Sequence, residues 1–185
     1  MRYEKDHKEK SHRRVVEAAA ARFRKEGLDS VGVVTLMNDA GLTHGAFYSH
    51  FPSKEALVGE AIGASMDELF RRSVEKTKEG GIEGLISRYL RAEHRAHPEK
   101  GCPVAALGAE IGRRARPTRA IYTRKLKRML AHIESLLPDP KPETAQAIFA
   151  LLVGSLQLAR TVTDPALSDR ILESGKTAAL ALAQR

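Results

Sequence analysis

Apolar residues recur along most of the chain at spacings of three and four, the period of an amphipathic helix. Val15, Val16, Ala19 and Phe23 form the first such stripe, and Gly27 follows it in the position of a C-terminal cap. The start of this helix has two candidates, Asp6 with Glu9 as a capping box and Ser11. A second, short helix is expected from Val33 to Ala40. Gly41 breaks it, and Thr43 caps a third over 44–50. Pro52 and Ser53 open a long fourth helix, from Lys54 to about Lys78, closed by the Glu79-Gly80-Gly81 run. Further helices are expected near 82–97, 103–112, 117–137, 143–163 and 168–184, punctuated by Pro98, Gly101, Pro103, Pro117, a proline-rich run at 138–142 and Pro165. Strand alternation is nearly absent. The pattern therefore predicts an all-α fold of about nine helices, with a boundary that divides 1–53 from 54–185 and the fourth helix as connector.

The helix pair at 33–50 has the layout of a helix-turn-helix. Leu36 and Ala40 lie one turn apart on the second helix, and Phe47 and Phe51 one turn apart on the third. With Leu42 they supply a small internal core. Gly41 occupies the turn, where a positive φ would strain a side chain. Thr43, His44, Gly45, Tyr48 and His50 are then left for the outer surface. A helix of that kind fits the DNA major groove, and its short polar groups suit phosphates, with His44 the candidate for reading a base. Lys54, behind Ser53 at the next helix start, adds a full charge where free N–H groups already attract a phosphate.

Helix 143–163 is apolar nearly all round, and such a helix is buried on more than one side. The last helix carries a stripe of Ile171, Gly175, Ala178, Ala179 and Leu182 that permits close approach. Two readings stand side by side: a homodimer joined through 143–163 and 168–184 as an intermolecular four-helix bundle, or a central core helix in a monomer.

Composition changes this picture little. The 185 residues are 42% hydrophobic, enough for a sizeable core, and the net charge is +8. That excess is not in the proposed reader: residues 1–60 hold 10 Lys+Arg against 9 Asp+Glu. Lys8, Lys10, Arg13 and Arg14 can reach phosphate, or can be a solvated helix end. The acid-free run 113–128 concentrates Arg113, Arg114, Arg116, Arg119, Arg124, Lys125, Lys127 and Arg128. It reads as a solvated face or as the neighbour of an anion, either DNA or an acidic ligand. A single cysteine, Cys102, excludes an internal disulfide and fits a reducing cytoplasm; it is a packed residue or a redox sensor. The N-terminal residues lack the apolar core of a signal sequence, and the apolar run 147–159 is too short to cross a bilayer. A cytoplasmic protein without a membrane partner is expected.

No phosphate-binding loop, nucleophile elbow, metalloprotease or dinucleotide motif is present, so no enzyme is read and no cofactor or catalytic residue is assigned. His94, His97, Cys102 and Glu110 are poorly spaced for one metal ion, and none is assigned as a ligand.

The segment LMNDAGLTHGAFYSHFPSKEAL, residues 36–57, resembles the DNA-binding signature of the TetR family of bacterial repressors. Ala40, Gly41, Thr43, Gly45, Tyr48, His50, Phe51, Ser53, Lys54 and Leu57 stand at the matching places, and the resemblance covers residues 11–62. It implies an all-α homodimer whose three N-terminal helices bind a double-stranded, palindromic DNA operator. A larger C-terminal domain would bind a small-molecule inducer, which makes the chain a ligand-responsive repressor. The family often caps the second helix with a Thr or Ser that touches a phosphate. Gly32 stands there in this chain, so that contact falls to Thr35 or to the backbone. Tyr89, His94, Tyr122, Phe149 and Gln157 lie on helices that line the family's inducer pocket, but none is assigned as a contact. The alternative function is a helical protein-interaction module, or a small-molecule-binding protein that does not bind DNA.

Overall fold

The computed structural model describes residues 2–184, with side chains from His7 onward. Among these are ten α-helices and two short 3-10 turns, with no strand. The first helix, α1, runs Arg2–Glu26, well before either proposed start. Ser11 is buried in its middle and caps nothing, and the side chain of Asp6 lies outside the described residues. Gly27 ends α1 with φ 90°, and its N–H bonds the Phe23 carbonyl at 2.9 Å.

The helix α2 (Val33–Asp39) begins at Gly32, which caps it through the backbone alone. Gly41 turns the chain at φ 67°, and the Leu42 N–H bonds the Met37 carbonyl at 2.9 Å. The expected third helix is instead a 3-10 turn, His44–Ala46, followed by one α turn, α3 (Phe47–His50). The Thr43 side chain makes no cap bond here, and so short a segment gains little from helical propagation. Its shape comes from Phe47 and Phe51, both about 1% exposed, which join the buried core beneath it with their rings 5.6 Å apart, the His12 ring of α1 stacking on Phe51 at 4.4 Å. Each buried ring contributes on the order of 2–3 kcal/mol.

Ser53 does cap α4 (Lys54–Thr77), its Oγ accepting from the Ala56 N–H at 3.1 Å. This long helix packs on α1 on one side and on α8 on the other. The helix expected over 82–97 is two: α5 (Gly81–Tyr89) and α6 (Ala92–Ala96), with a 3-10 turn at Pro98–Lys100. No proline or glycine makes the break. The His94 ring takes the Tyr89 carbonyl at 2.7 Å, while Arg91 is extended at φ −116° and ψ 157°. Then come α7 (Pro103–Gly112), α8 (Arg116–Glu134), α9 (Pro142–Thr161) and α10 (Pro165–Ala183). Pro165 opens the last helix rather than merely preceding it, behind Asp164, whose carboxylate accepts from the Ala166 and Leu167 N–H groups.

The last two helices pack on each other within the chain. Gly175 and Ala179, read from the sequence as part of a stripe for close approach, are buried inward, Gly175 beneath Ser155. The helix α9 is not buried all round. Ile148, Phe149, Leu152 and Leu156 enter the core, while Ala147, Ala150 and Leu158 stay exposed and Leu151 and Gly154 half-buried. Leu158 is 59% exposed, and with its exposed and half-buried neighbours it leaves an apolar stripe along α9 uncovered. Among the described residues no helix is long and apolar enough to cross a membrane.

Candidate nucleic-acid interface and ligand cavity

The helix-turn-helix is held by a few specific ties. Arg22 on α1 donates to Asp39 at the end of α2 through Nε at 2.6 Å and to Glu26 at 2.5 Å. The guanidinium beside it holds the Asp39 carboxyl below its ordinary range. With the frame fixed, Thr43, His44, Gly45 and Tyr48 are all exposed on the outside of the 3-10 turn and α3. Tyr48 is 74% exposed, its ring meeting Phe47 edge-on at 5.2 Å. An aromatic so exposed yet so supported offers a rigid hydroxyl at low entropic cost. Nothing lies within 4 Å of where a Gly45 side chain would begin, so the surface there is bare backbone. Thr35 and its neighbour Val34 are exposed on α2.

His50 departs from the sequence reading. It is half-buried, its ring 6.0 Å from that of His12 on α1, and its Nδ1 is enclosed without a partner. Burial, with His12 and Lys8 nearby, lowers its pKa, so it is an uncharged residue of the α1–α3 seam rather than one of the outer group. Lys54 is half-buried at the first position of α4. Lys8, Lys10, Arg13 and Arg14 are exposed, with no carboxylate within 4 Å among the described residues.

The basic run divides. Arg114 pairs with Asp29 at 2.5 Å and approaches Glu55 at 3.7 Å, tying the α7–α8 link to the α1–α2 link and the first turn of α4. Lys125 and Arg128 both reach Asp67 on α4 at 2.5 Å, and Arg128 lies over the Phe70 ring at 4.0 Å. Arg113, Arg116, Arg119, Arg124 and Lys127 remain exposed and unpaired among the described residues. The solvated-face reading thus misses three residues with internal work.

A cavity of about 290 Å³ opens between α4, α5, α6, α8 and α9. Tyr89, His94 and Phe149 line it, whereas Tyr122 and Gln157 do not. His94 is fully engaged: Nε2 accepts the Cys102 N–H at 2.9 Å, so the proton sits on Nδ1 and is donated to the Tyr89 carbonyl. Burial, above all, pushes its pKa down to about 4. His97 pairs with Glu99, and the Glu110 carboxylate accepts the Leu28 N–H at 2.7 Å. These residues hold the fold and do not converge on one point. Cys102 is wholly buried and burial pushes its thiol up, which disfavours the reactive thiolate.

The cavity wall and the N-terminal helices touch directly. Arg24 on α1 is buried, donating to the Glu99 carbonyl at 2.8 and 2.5 Å and to Ser65 Oγ at 2.7 Å. Glu99 immediately precedes Lys100, Gly101 and Cys102 of the cavity lining. Sequence reasoning missed Arg24, since a lone arginine in an amphipathic helix looks solvated.

Residues 15–61 match the model of the bacterial regulatory proteins, tetR family. The HTH-type transcriptional repressor KstR2 of Mycobacterium tuberculosis is 40% identical over 58 residues, which is 31% of this chain and 29% of that protein. An uncharacterised HTH-type transcriptional regulator of Bacillus subtilis, YfiR, is 27% identical over 86 residues, 46% of this chain and 42% of the relative. The chain thus matches less than half the length of these two relatives. A TetR transcriptional regulator from Chloroflexus aurantiacus superposes with a TM-score of 0.79 at 22% identity, covering 100% of this chain and 98% of that one, and so shares the fold. Residues 15–61 of this chain thus match the tetR family of bacterial regulatory proteins, and its ten described helices share the fold of a TetR regulator.

Proposed function

We propose that the chain is a cytoplasmic DNA-binding transcriptional regulator, a ligand-responsive repressor that grips a palindromic operator as a homodimer. The observation that carries this reading is the outer face of the 3-10 turn and α3. Tyr48, His44, Thr43 and bare Gly45 stand out together while Phe47 and Phe51 anchor them from below. Such a face enters the major groove with Tyr48, Thr43 and Lys54 on phosphates and His44 toward base edges. Thr35 supplies the α2 contact that Gly32 lacks, and His50 supports α3 from behind. Residues 1–53 form the reading domain and 54–185 the ligand-binding and dimerisation domain.

Dimerisation is supported by the uncovered apolar stripe of α9, Ala147, Ala150, Leu151, Gly154 and Leu158, with Leu167 and Ile171 of α10 beside it. Two such pairs of helices make a four-helix bundle. An inducer in the C-terminal cavity acts on the reading domain through the Arg24–Glu99 tie, so the two operator-bound heads shift together with the cavity wall. Operator selection from a random DNA pool tests the reading. Two inverted arms in the enriched sequence agree with it, and no enrichment favours the alternative of a helical module that does not bind DNA.

A further inference from the structure

The cavity carries chemistry that narrows its occupant. Its floor is apolar, built from Leu69, Leu85, Met129, Ile133 and Phe149. Its mouth is lined by five cationic side chains, Arg72, Lys76, Arg88, Arg91 and Lys100, against one carboxylate, Glu93. Two of the five have acidic partners: Arg72 bonds Glu68, and Arg91 lies 3.8 Å from Glu93. Lys76, Arg88 and Lys100 have no carboxylate within 4 Å among the described residues. The Tyr89 hydroxyl is turned to the buried Cys102 thiol, and that of Ser73 is enclosed, so neither competes for the cationic groups.

Resting on the reading that this cavity holds the regulatory ligand, we propose that the ligand is an amphipathic organic acid. Its apolar body fills the floor, and its carboxylate lies among Arg88, Lys76 and Lys100. Arg88 is already positioned for this. Its guanidinium donates to the Lys76 carbonyl, and its remaining N–H groups are free to fork onto a carboxylate. A cationic ligand of the same shape meets like charge at the mouth. A neutral one gains the floor and leaves the guanidinium and ammonium groups unanswered.

The test uses the full chain without DNA and three probes of one chain length, decanoate, decanol and decylamine, titrated calorimetrically. The proposal expects decanoate to bind about tenfold or more tightly than either of the others, a difference near 1.4 kcal/mol. Arg88→Gln and Lys76→Gln should each weaken decanoate by about five- to tenfold, as loss of one charge-assisted contact does. Both should leave decanol binding unchanged, and Lys76→Gln should leave the unliganded melting temperature unchanged as well. Decanoate that fails to bind, decylamine or decanol that binds equally well, or variants that bind decanoate like the parent would each overturn it. Because no DNA is present, these outcomes are separate from whether the reading domain grips an operator.

Discussion

Arg24 of α1 and the carbonyl of Glu99 are joined by two guanidinium N–H bonds, at 2.8 and 2.5 Å, across 75 residues of sequence. This pair links the helix that carries the reading domain to the residue preceding the cavity wall. Burial lowers the pKa of Arg24, opposed by Glu68 at 3.8 Å, so the guanidinium is held in place mainly by oxygen acceptors. Arg24→Met removes the fork and leaves Glu99 O and Ser65 Oγ buried and unpaired. Denaturant unfolding should show a loss of about 2–4 kcal/mol. Arg24→Lys, which keeps the charge without the fork, should recover less than half of it. In Arg24→Lys the change in operator affinity on adding an amphipathic acid should shrink, while ligand-free affinity stays near the parent's.

Gly175 is fitted beneath Ser155. A methyl group added there would stand 2.7 Å from the Ser155 Cβ and 3.3 Å from Leu90 Cδ1. A hydroxyl can rotate away, but a Cβ cannot, so Gly175→Ala must push α9 and α10 apart. Its unfolding free energy should fall by about 1–3 kcal/mol. Gly108→Ala on α7 is the control, meeting nothing closer than Val104 Cγ1 at 3.9 Å. It should be neutral or stabilising by up to about 1 kcal/mol through helix propensity.

Leu158 offers a direct check on the dimer. Leu158→Glu places a charge on the uncovered α9 stripe and should convert a dimer to a monomer in sedimentation equilibrium, with helical circular dichroism retained. A parent protein that is monomeric at micromolar concentration would contradict the four-helix interface.

His94 gives stability a pH dependence of defined sign. Its pKa is about 4 in the fold against 6.5 unperturbed, so the neutral form is favoured on folding. Its contribution is fully present above pH 6.5 and is lost as pH falls toward 4, by about 3 kcal/mol in all and about 2 kcal/mol by pH 5. His50 and His132, also lowered chiefly by burial, act in the same direction. Urea unfolding at pH 7 and pH 5 should therefore show a loss of at least about 2 kcal/mol. His94→Gln should be less stable at pH 7 and show a visibly shallower fall.

Much of the helix-turn-helix was legible because its signals are local. Leu36, Ala40, Phe47 and Phe51 are spaced by the helix period, and Gly41 marks the one turn whose φ demands it. Local spacing also placed the ends of α2, α4 and α7 to within a residue or so. Elsewhere the deciding contact is distant or belongs to a side chain. The break after Tyr89 is made by the His94 ring, not by a breaker residue. Burial of His50 depends on His12, 38 positions earlier, and the Glu110 bond to Leu28 spans 82. The small residues of α10 looked like a dimer surface because a glycine stripe does not say which neighbour it admits. The cavity was illegible for the same reason, since its cations come from α4, α5 and the α6–α7 segment and look solvated on each.

The central claim is that the exposed face of the 3-10 turn and α3, with the start of α4, holds duplex DNA. Fluorescence anisotropy against the selected operator, at fixed salt, tests it with Tyr48→Ala and Lys54→Ala. Both sites are at the surface or half-buried, so the melting temperature should stay within a few degrees of the parent's. The account predicts that each variant binds the operator about tenfold or more weakly, and that Lys54→Ala also lowers the salt slope by about one. Folded variants that bind as tightly as the parent, with the parent's salt dependence, would contradict it.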